Sequence, residues 1–98
     1  MSTSRFEIAA SRTTAHSFRT SIDHGLKGSW GAPVMRWTWK DGKCHAWAPG
    51  ATGSLHLEDG KVVATIHLSI VALPLKSRIH HDIITVLKRL GDGPVRQC

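Results

Sequence analysis

The sequence has few of the features that mark secreted, membrane-spanning or disulfide-stabilised proteins. It contains two cysteines, Cys44 in a strand-like stretch and Cys98 in the last position, so a disulfide between them is not expected. The longest apolar run, Ile70 to Leu75, is far too short to span a bilayer, and the N-terminal residues include no apolar stretch of signal-peptide length. We therefore expect a cytoplasmic protein of a reducing compartment, with no transmembrane segment.

Motifs that carry catalysis or metal binding are equally scarce. There is no Gly-x-Ser-x-Gly sequence, and the glycines at 25, 28 and 31 follow a predicted helix, whereas a phosphate-binding loop would precede one. His45 and His56 could share a metal ion only if they face each other, and no third ligand lies at a recognisable spacing. We expect no enzymatic activity, no catalytic residue, no cofactor and no metal site.

What the chain does contain is enough apolar material for one small domain. It has 98 residues, 41% of them hydrophobic, and 13 Lys and Arg residues against 7 Asp and Glu residues. A chain of this length forms one core, and its composition is that of a basic globular protein rather than a disordered tail. We predict a single domain over residues 4–90 and a flexible C-terminal tail over residues 91–98.

The first third of the chain is predicted to form a strand and then a helix. Phe6, Ile8 and Ala10 occupy alternate positions, which is typical of a strand with one buried side. Thr13 or Thr14 offers a cap for the helix that follows, and apolar residues recur there at helical spacing. The helix places Ala15, Phe18, Ile22 and Leu26 on its apolar face and Arg19, Asp23 and Lys27 on its solvent face.

The middle of the chain is predicted to form two β-hairpins. The apolar period changes to two, and Asp-Gly dipeptides that begin at Asp41 and Asp59 predict two-residue turns. In this register a large Trp39 lies opposite a small Cys44, as a packed layer requires. The second hairpin carries on one face Leu55, Leu57, Val62, Ala64, Ile66, Leu68 and Ile70.

A four-residue loop is expected to join the two hairpins. It would set Ala46 against Leu55 and, on the other face, His45 against His56. That other face would be aromatic and cationic, because the same alternation turns Arg36, Thr38, His45, Trp47, His56, Thr65 and His67 outward. Arg36 would lie opposite Trp47, within reach of a cation–π contact.

Pro74 is predicted to open a second helix that lies across the apolar face of the sheet. Its apolar stripe consists of Leu75, Ile79, Ile83, Val86, Leu87 and Leu90, and its solvent side is a basic strip of Arg78, His81, Thr85, Lys88 and Arg89. The run His80-His81-Asp82 is interpreted as solvated. The resulting fold class is α+β: strand, helix, four-stranded antiparallel meander and helix, with both helices on one face of the sheet.

The segment from Leu55 to Leu90, with its stretch LEDGKVVATIHLSIVALPLKSRIHHDIITVLKRL, resembles the polyhydroxyalkanoic acid system family, also called polyhydroxyalkanoate granule-region proteins. The Pro74 to Ile79 stretch, PLKSRI, is the most specific part, and the Trp-containing hairpin RWTWKDGKCHAW is similar in layout. The second helix departs from the family pattern in its histidines. The resemblance implies a small accessory or granule-associated protein, with no established catalytic residues.

These observations favour a non-enzymatic accessory or binding protein whose partner is an acidic protein or a polyester granule surface. The candidate partner-binding residues are Arg36, His45, Trp47, His56, Lys76, Arg78, Lys88 and Arg89. If a granule is touched, the exposed sheet face and Ile70 to Leu75 are the surfaces to examine. The oligomeric state is left open.

Two other function classes are weighed against this one. A small nucleic-acid-binding domain would use the exposed sheet face together with the basic helix, but residues 34–70 carry four bases and three acids, so the sheet region is nearly neutral. A small-ligand carrier would need a cavity between sheet and helices. We do not expect one, because the core residues are barely enough to fill that space.

Overall fold

The computed structural model describes residues 2–28, 34–91 and 93–97, which form one six-stranded antiparallel sheet and two α-helices. In chain order the elements are β1 (Ser2–Ala9), α1 (Ala15–Lys27), β2 (Arg36–Lys40), β3 (Lys43–Ala48), β4 (Ala51–Glu58), β5 (Lys61–Leu68), a 3₁₀ segment (Ile70–Leu75), α2 (Lys76–Leu90) and β6 (Arg96–Gln97). The predicted α+β class is confirmed.

The strands follow the order β2-β3-β4-β5-β1-β6 across the sheet. Strands β2 to β5 form a meander, and β1 pairs with β5, so that Phe6 lies opposite Ala64. The chain must therefore travel from β1 to β2, at the far edge of the sheet, and α1 lies in this connection. This crossing places α1 on the same face of the sheet as α2, with Phe18 and Asp23 against Trp39 of β2, whereas α2 lies over β1 and β5.

The two Asp-Gly turns are confirmed. Asp41, Gly42, Asp59 and Gly60 all have positive φ, between 48° and 76°, as a two-residue turn of type I′ requires. The register is also as predicted, with Trp39 opposite Cys44.

The turn between the two hairpins is shorter than predicted. Ala48 pairs with Ala51, so the connection is a two-residue Pro49-Gly50 turn, with Gly50 at φ 80°. Ala46 consequently lies opposite Gly53 and not opposite Leu55, which faces Cys44. The register differs by two residues, an even number, so every side chain keeps its predicted face.

One buried cluster joins the sheet to both helices. Its sheet residues lie on what we call the inner face, and the opposite side is the outer face. Phe18 and Ile22 of α1 and Leu87 of α2 are buried in the same cluster as Phe6 and Ile8. Both helices therefore pack on one face of the sheet. In the described part of the chain the buried cluster consists of Phe6, Ile8, Ala10, Phe18, Ile22, Leu26, Cys44, Leu55, Val62, Ala64, Ile66, Leu68, Ala72, Val86 and Leu87.

Local features of α1 explain where it begins and how closely it approaches α2. Thr14 caps the helix: its hydroxyl accepts from the Ser17 backbone N–H at 3.1 Å, and Ser17 closes the capping box. Gly25 lies where the helices meet, because a Cβ there would come within 3.3 Å of Val86. The predicted apolar face is correct except at Ala15, which is exposed.

Two predicted boundaries after β5 are wrong. Pro74 does not open α2; it lies inside the 3₁₀ segment, and the helix begins at Lys76. Ile70 leaves the sheet and is 75% exposed instead of extending the apolar face of β5. The short β3–β4 turn is the physical reason: the Ser69 backbone N–H still donates to the Gly50 carbonyl oxygen at 2.8 Å, but Gly50 belongs to the turn, so Ile70 has no β4 residue to pair with.

Part of the segment predicted as a flexible tail, residues 91–98, is a strand. Arg96 and Gln97 form β6, which pairs antiparallel with β1 opposite Glu7 and Phe6. An unpaired β1 edge offers backbone donors and acceptors, and the short strand covers part of it.

Candidate functional site

The outer face of the sheet carries the predicted aromatic and cationic residues. Arg36, His45 and Trp47 are exposed there, and His56 is half-buried. Arg36 pairs with Trp47 across β2 and β3, as predicted. The cation–π contact that the structure records lies elsewhere, however, with the Arg19 guanidinium 5.4 Å from the centre of the Trp39 ring.

The two histidines that were weighed as a metal pair and judged insufficient, His45 and His56, do not face each other. His45 lies opposite Ser54, because the hairpin connection is two residues shorter than expected. His56 instead bonds to Glu58, with 3.2 Å between Nε2 and Oε2. Within residues 2–28, 34–91 and 93–97, no group of three or more His, Cys, Asp or Glu side chains could hold a metal ion.

The basic strip on α2 is exposed at Arg78, Lys88 and Arg89, whereas Lys76 is half-buried. Since α2 packs on the inner face, its exposed strip points away from the sheet. The outer-face residues and the helix strip thus lie on opposite sides of the molecule. The eight predicted partner-binding residues form two separate surfaces, which one partner could not contact together without wrapping around the domain.

A further group of basic residues was not anticipated from the sequence. Arg19 from the first half of α1, Lys40 and Lys43 beside the β2–β3 turn, and His16 and His56 line an open cavity of about 560 Å³. Trp39 also lines it, and Asp41 is the one acidic residue among the described residues of its wall. This cavity is a surface of positive charge rather than an enclosed ligand pocket.

The 3₁₀ segment exposes large apolar side chains. Ile70 is 75% exposed and Val71 78%, while Leu73 and Leu75 are 38% and 43% exposed. Ala72 is buried in the core and anchors the segment to the domain. The segment also packs closely on the β3–β4 turn, where a Cβ on Gly50 would lie 2.9 Å from Val71.

Beside this segment the layer between sheet and helix is open. An apolar cleft of about 180 Å³ runs between α2, the 3₁₀ segment and the inner face. Its walls include Met35, Ala48, Leu75, Ile79 and Ile83. Val34 also lines the cleft, and its side chain is 62% exposed. An adjoining space of about 90 Å³ shares several of these residues and extends the cleft over β3 and β4.

Small residues on the inner face create this cleft. Ala46 pairs with Gly53 and Ala48 with Ala51, so two neighbouring rows of the sheet carry almost no side-chain volume. Larger side chains elsewhere in the layer set the spacing between sheet and helices, so these small residues leave a gap. The expectation that core side chains fill the space between sheet and helices is wrong over these parts of β3 and β4. The signal was the concentration of small residues in AWAPGATG, positions 46–53.

The cleft is nearly uncharged. Among the described residues of its wall, Asp82 is the one that carries a charge, and it is half-buried on α2. The other residues that form the wall are Leu26, Val34, Met35, Ala48, Pro49, Ala51, Ala72, Leu75, Ile79, Ile83 and Val86. Such a surface can take up apolar groups.

Asp23 forms the main polar contact between α1 and the sheet. Its Oδ1 accepts hydrogen bonds from the indole N–H groups of Trp39 at 2.8 Å and Trp37 at 3.0 Å. The prediction that Asp23 points into solvent is wrong, because the partly buried tryptophans need an acceptor and the path of α1 across the sheet brings Asp23 to them. Phe18 packs against the Trp39 ring edge-on, at 5.6 Å between centroids.

The remaining reactive groups are structural. Burial, with a smaller contribution from the negative charge of Asp23, raises the pKa of the Cys44 thiol to about 11. The thiol is fully buried and stays protonated at neutral pH, so it is a poor nucleophile. On α2, burial and then the charge of Lys76 lower the pKa of His80, whose ring packs edge-on against Phe6 at 5.0 Å.

His80 also departs from the predicted solvated run. Its Nε2 is buried and makes no hydrogen bond to any described residue. Of the run, His81 alone is exposed, and Asp82 is half-buried.

No protein-family model matches the chain, and no curated protein is significantly similar to it. The resemblance to the polyhydroxyalkanoic acid system family therefore stays a prediction based on the segment from Leu55 to Leu90. Neither helix in the described part of the chain has the length and apolar character needed to cross a membrane.

Proposed function

We propose that this protein is a non-enzymatic accessory protein that binds the apolar surface of a polyester storage granule through its 3₁₀ segment. The observation that supports this proposal is the exposure of Ile70, Val71, Leu73 and Leu75, the last of which also lines an apolar cleft. A single exposed apolar side chain is ordinary, whereas several adjacent ones mark an interaction surface. The polyester is the partner that the sequence resemblance implies.

The energetics favour an apolar partner over a charged one. Full burial of a side chain such as Ile or Val is worth about 1.5–3 kcal/mol, so Ile70 and Val71 alone could support measurable adsorption. Arg78 follows the segment by three residues and is exposed, so it can stay in water at the rim of such a contact. Lys88 lies about 15 Å beyond Arg78 along α2, with Arg89 next to it, and both remain able to attract an acidic partner.

Co-sedimentation with purified polyhydroxyalkanoate granules tests the proposal. Wild-type protein should pellet with the granules, and the double variant Ile70→Ser, Val71→Ser should bind at least about tenfold more weakly, because two exposed apolar groups are lost. Both residues are exposed, so the free energy of unfolding should change by less than about 1 kcal/mol.

The matched control is the double variant Arg36→Ala, Trp47→Ala on the outer face. It removes two exposed side chains from the outer face of the sheet and should pellet like wild type. Wild-type protein that stays in the supernatant would contradict the proposal. Equal loss of binding in both double variants would contradict the assignment to the 3₁₀ segment.

The alternative, a small nucleic-acid-binding domain, has less support because its two expected surfaces lie on opposite sides of the domain. The outer face alone still offers Trp47 with Arg36 and His45 around it. Titration with single-stranded RNA at two salt concentrations separates the proposals, since phosphate contacts make binding strongly salt-dependent. Adsorption to an apolar granule does not weaken in this way as salt rises.

A further inference from the structure

The open cavity beside the β2–β3 turn brings together three fixed positive charges from two separate parts of the chain. Arg19 of α1 and Lys40 and Lys43 of the hairpin line it, and Asp41 is the one acid among the described residues of its wall. The wall therefore has two positive charges in excess. The cavity lies at the first half of α1 and the end of β2, whereas the stretch outside the described residues, 29–33, joins the other ends of these two elements.

The carboxylates of the domain do not neutralise these charges. Neither Lys40 nor Lys43 forms an ion pair with any described residue, and the Arg19 guanidinium lies over the Trp39 ring. The nearby carboxylate of Asp23 accepts two indole N–H groups instead of pairing with Arg19. His56, which also lines the cavity, differs from the three fixed cations because it is paired with a glutamate.

A comparison of the two Asp-Gly hairpins shows that the turn does not require this arrangement. Both hairpins have the same two-residue turn, but Lys40 lies opposite Lys43 in the first, and Glu58 lies opposite Lys61 in the second. Opposite charges at such a position stabilise a hairpin, and like charges destabilise it. An anion bound between the two lysine ammonium groups would turn their repulsion into attraction.

Three separate cations suit a phosphate group better than a carboxylate. A phosphate monoester carries a charge of about −1.5 to −2 at pH 7 and three strong acceptor oxygens, so the guanidinium and both ammonium groups can donate to it. A guanidinium binds phosphate through two parallel hydrogen bonds, and an ammonium group acts as a point charge. A carboxylate has one charge and two oxygens, which Arg19 alone could satisfy.

We propose that Arg19, Lys40 and Lys43 bind the phosphate group of a phosphate monoester in this open cavity. The open shape lets the bound group keep part of its hydration, which limits the cost of desolvation. This site goes beyond the granule contact and does not compete with it. Lys43 begins β3, and the turn that packs against the 3₁₀ segment follows the other end of that strand, about 17 Å away.

Amide NMR spectra of the full chain during titration with glycerol 3-phosphate, at constant ionic strength, test this inference. The signals of Gly42, Lys43 and the Trp39 indole should shift and saturate, because all three residues line the cavity. Acetate should bind at least about tenfold more weakly, since it offers less charge and fewer acceptors. An absence of saturable shifts, or equal affinity for acetate, would overturn the site.

Two double variants that remove the same charge supply the matched control. Lys40→Gln, Lys43→Gln should weaken glycerol 3-phosphate binding at least about tenfold and should not lower the free energy of unfolding, because two facing like charges are lost. Lys88→Gln, Arg89→Gln removes two exposed charges near the end of α2 and should change the affinity by less than about twofold. Equal weakening in both would mean general attraction to a basic protein and would overturn the site.

The position of Arg19 in the site is tested by Arg19→Lys. This variant keeps the positive charge but loses the planar guanidinium, so it should bind glycerol 3-phosphate more weakly than wild type. Unchanged affinity would remove Arg19 from the site.

Further probes identify where the phosphate group comes from. Phosphatidylcholine vesicles that contain phosphatidic acid, also a phosphate monoester, should capture wild type but not Lys40→Gln, Lys43→Gln if the group belongs to a lipid; titration by glycerol 3-phosphate without vesicle capture assigns it to a small soluble molecule. A peptide of four glutamates, or a short single-stranded RNA, that binds this cavity more tightly than glycerol 3-phosphate would overturn the assignment of a monoester.

Discussion

The layer between the sheet and the helices is built differently at its two ends. At one end, Phe6, Ile8, Val62 and Leu87 are buried and fill the space between β1, β5 and α2. At the other end, alanine and glycine on β3 and β4 leave a cleft under α2. The comparison shows that one helix can hold the fold together with its second half while its first half covers an accessible apolar space.

The largest expected effect distinguishes the two halves of α2. Leu87→Ala, in the filled half, should lower the free energy of unfolding by about 3 kcal/mol, because a fully buried side chain is replaced by a cavity. Ile83→Ala, one turn earlier in the wall of the cleft, should cost about 1 kcal/mol because its side chain already borders open space. Urea denaturation of both variants measures the difference. Equal losses would mean that the cleft is filled in solution.

An intermediate effect is expected at Asp23, which joins α1 to β2 at the edge of the sheet. Asp23→Ala leaves two indole N–H groups without their acceptor and should lower the free energy of unfolding by about 2 kcal/mol. The tryptophan emission should shift to longer wavelength as α1 loosens from β2. Asp23→Asn keeps an oxygen acceptor and should lower the free energy of unfolding by less. If the two variants lower it equally, the hydrogen bonds to the tryptophans do not hold α1 against β2.

The smallest expected effect is the pH dependence of stability that comes from His80, which packs against Phe6 in the filled end of the layer. The pKa of His80 lies below the ordinary histidine value of 6.5, so the unfolded chain takes up a proton at this residue before the folded one does. Neutral His80 therefore makes its full contribution to the free energy of unfolding above pH 6.5, and this contribution is lost as the pH falls below that value. Urea midpoints at about pH 7.5 and about pH 5 should therefore differ less for His80→Leu than for wild type.

His81→Leu is the control for this measurement. His81 is the next residue of α2 but is exposed, so its variant should keep the wild-type pH dependence. If His80→Leu and His81→Leu change the pH dependence equally, the buried environment of His80 is not its cause.

Most of the fold could be predicted from local sequence signals. The Asp-Gly dipeptides determine the two outer turns, Thr14 determines where α1 begins, and alternation from Phe6 to Ala10 and from Leu55 to Leu68 determines the buried face. Each of these signals acts between residues close in sequence, where backbone conformation and side-chain period decide the outcome. The Pro49-Gly50 turn was misjudged because both a two-residue and a four-residue loop preserve that alternation.

The candidate site was only partly predictable. The apolar stretch from Ile70 to Leu75 was recognised as a surface to examine, and the outward residues of β2 and β3 were placed on their correct face. The cleft was missed because each of its small residues is an acceptable core residue by itself. The void appears only when β3 and β4 place them side by side.

By itself, the sequence determined the fold class, the buried faces and the absence of a long apolar helix among the described residues, because these depend on composition and period. Only the tertiary structure decided which residues act together. It brought Asp23 to the two tryptophans, separated the outer sheet face from the basic strip of α2, and opened the cleft beside the 3₁₀ segment. The reason is that the path of α1 and the spacing between sheet and helices result from the packing of the whole core, which no local pattern encodes.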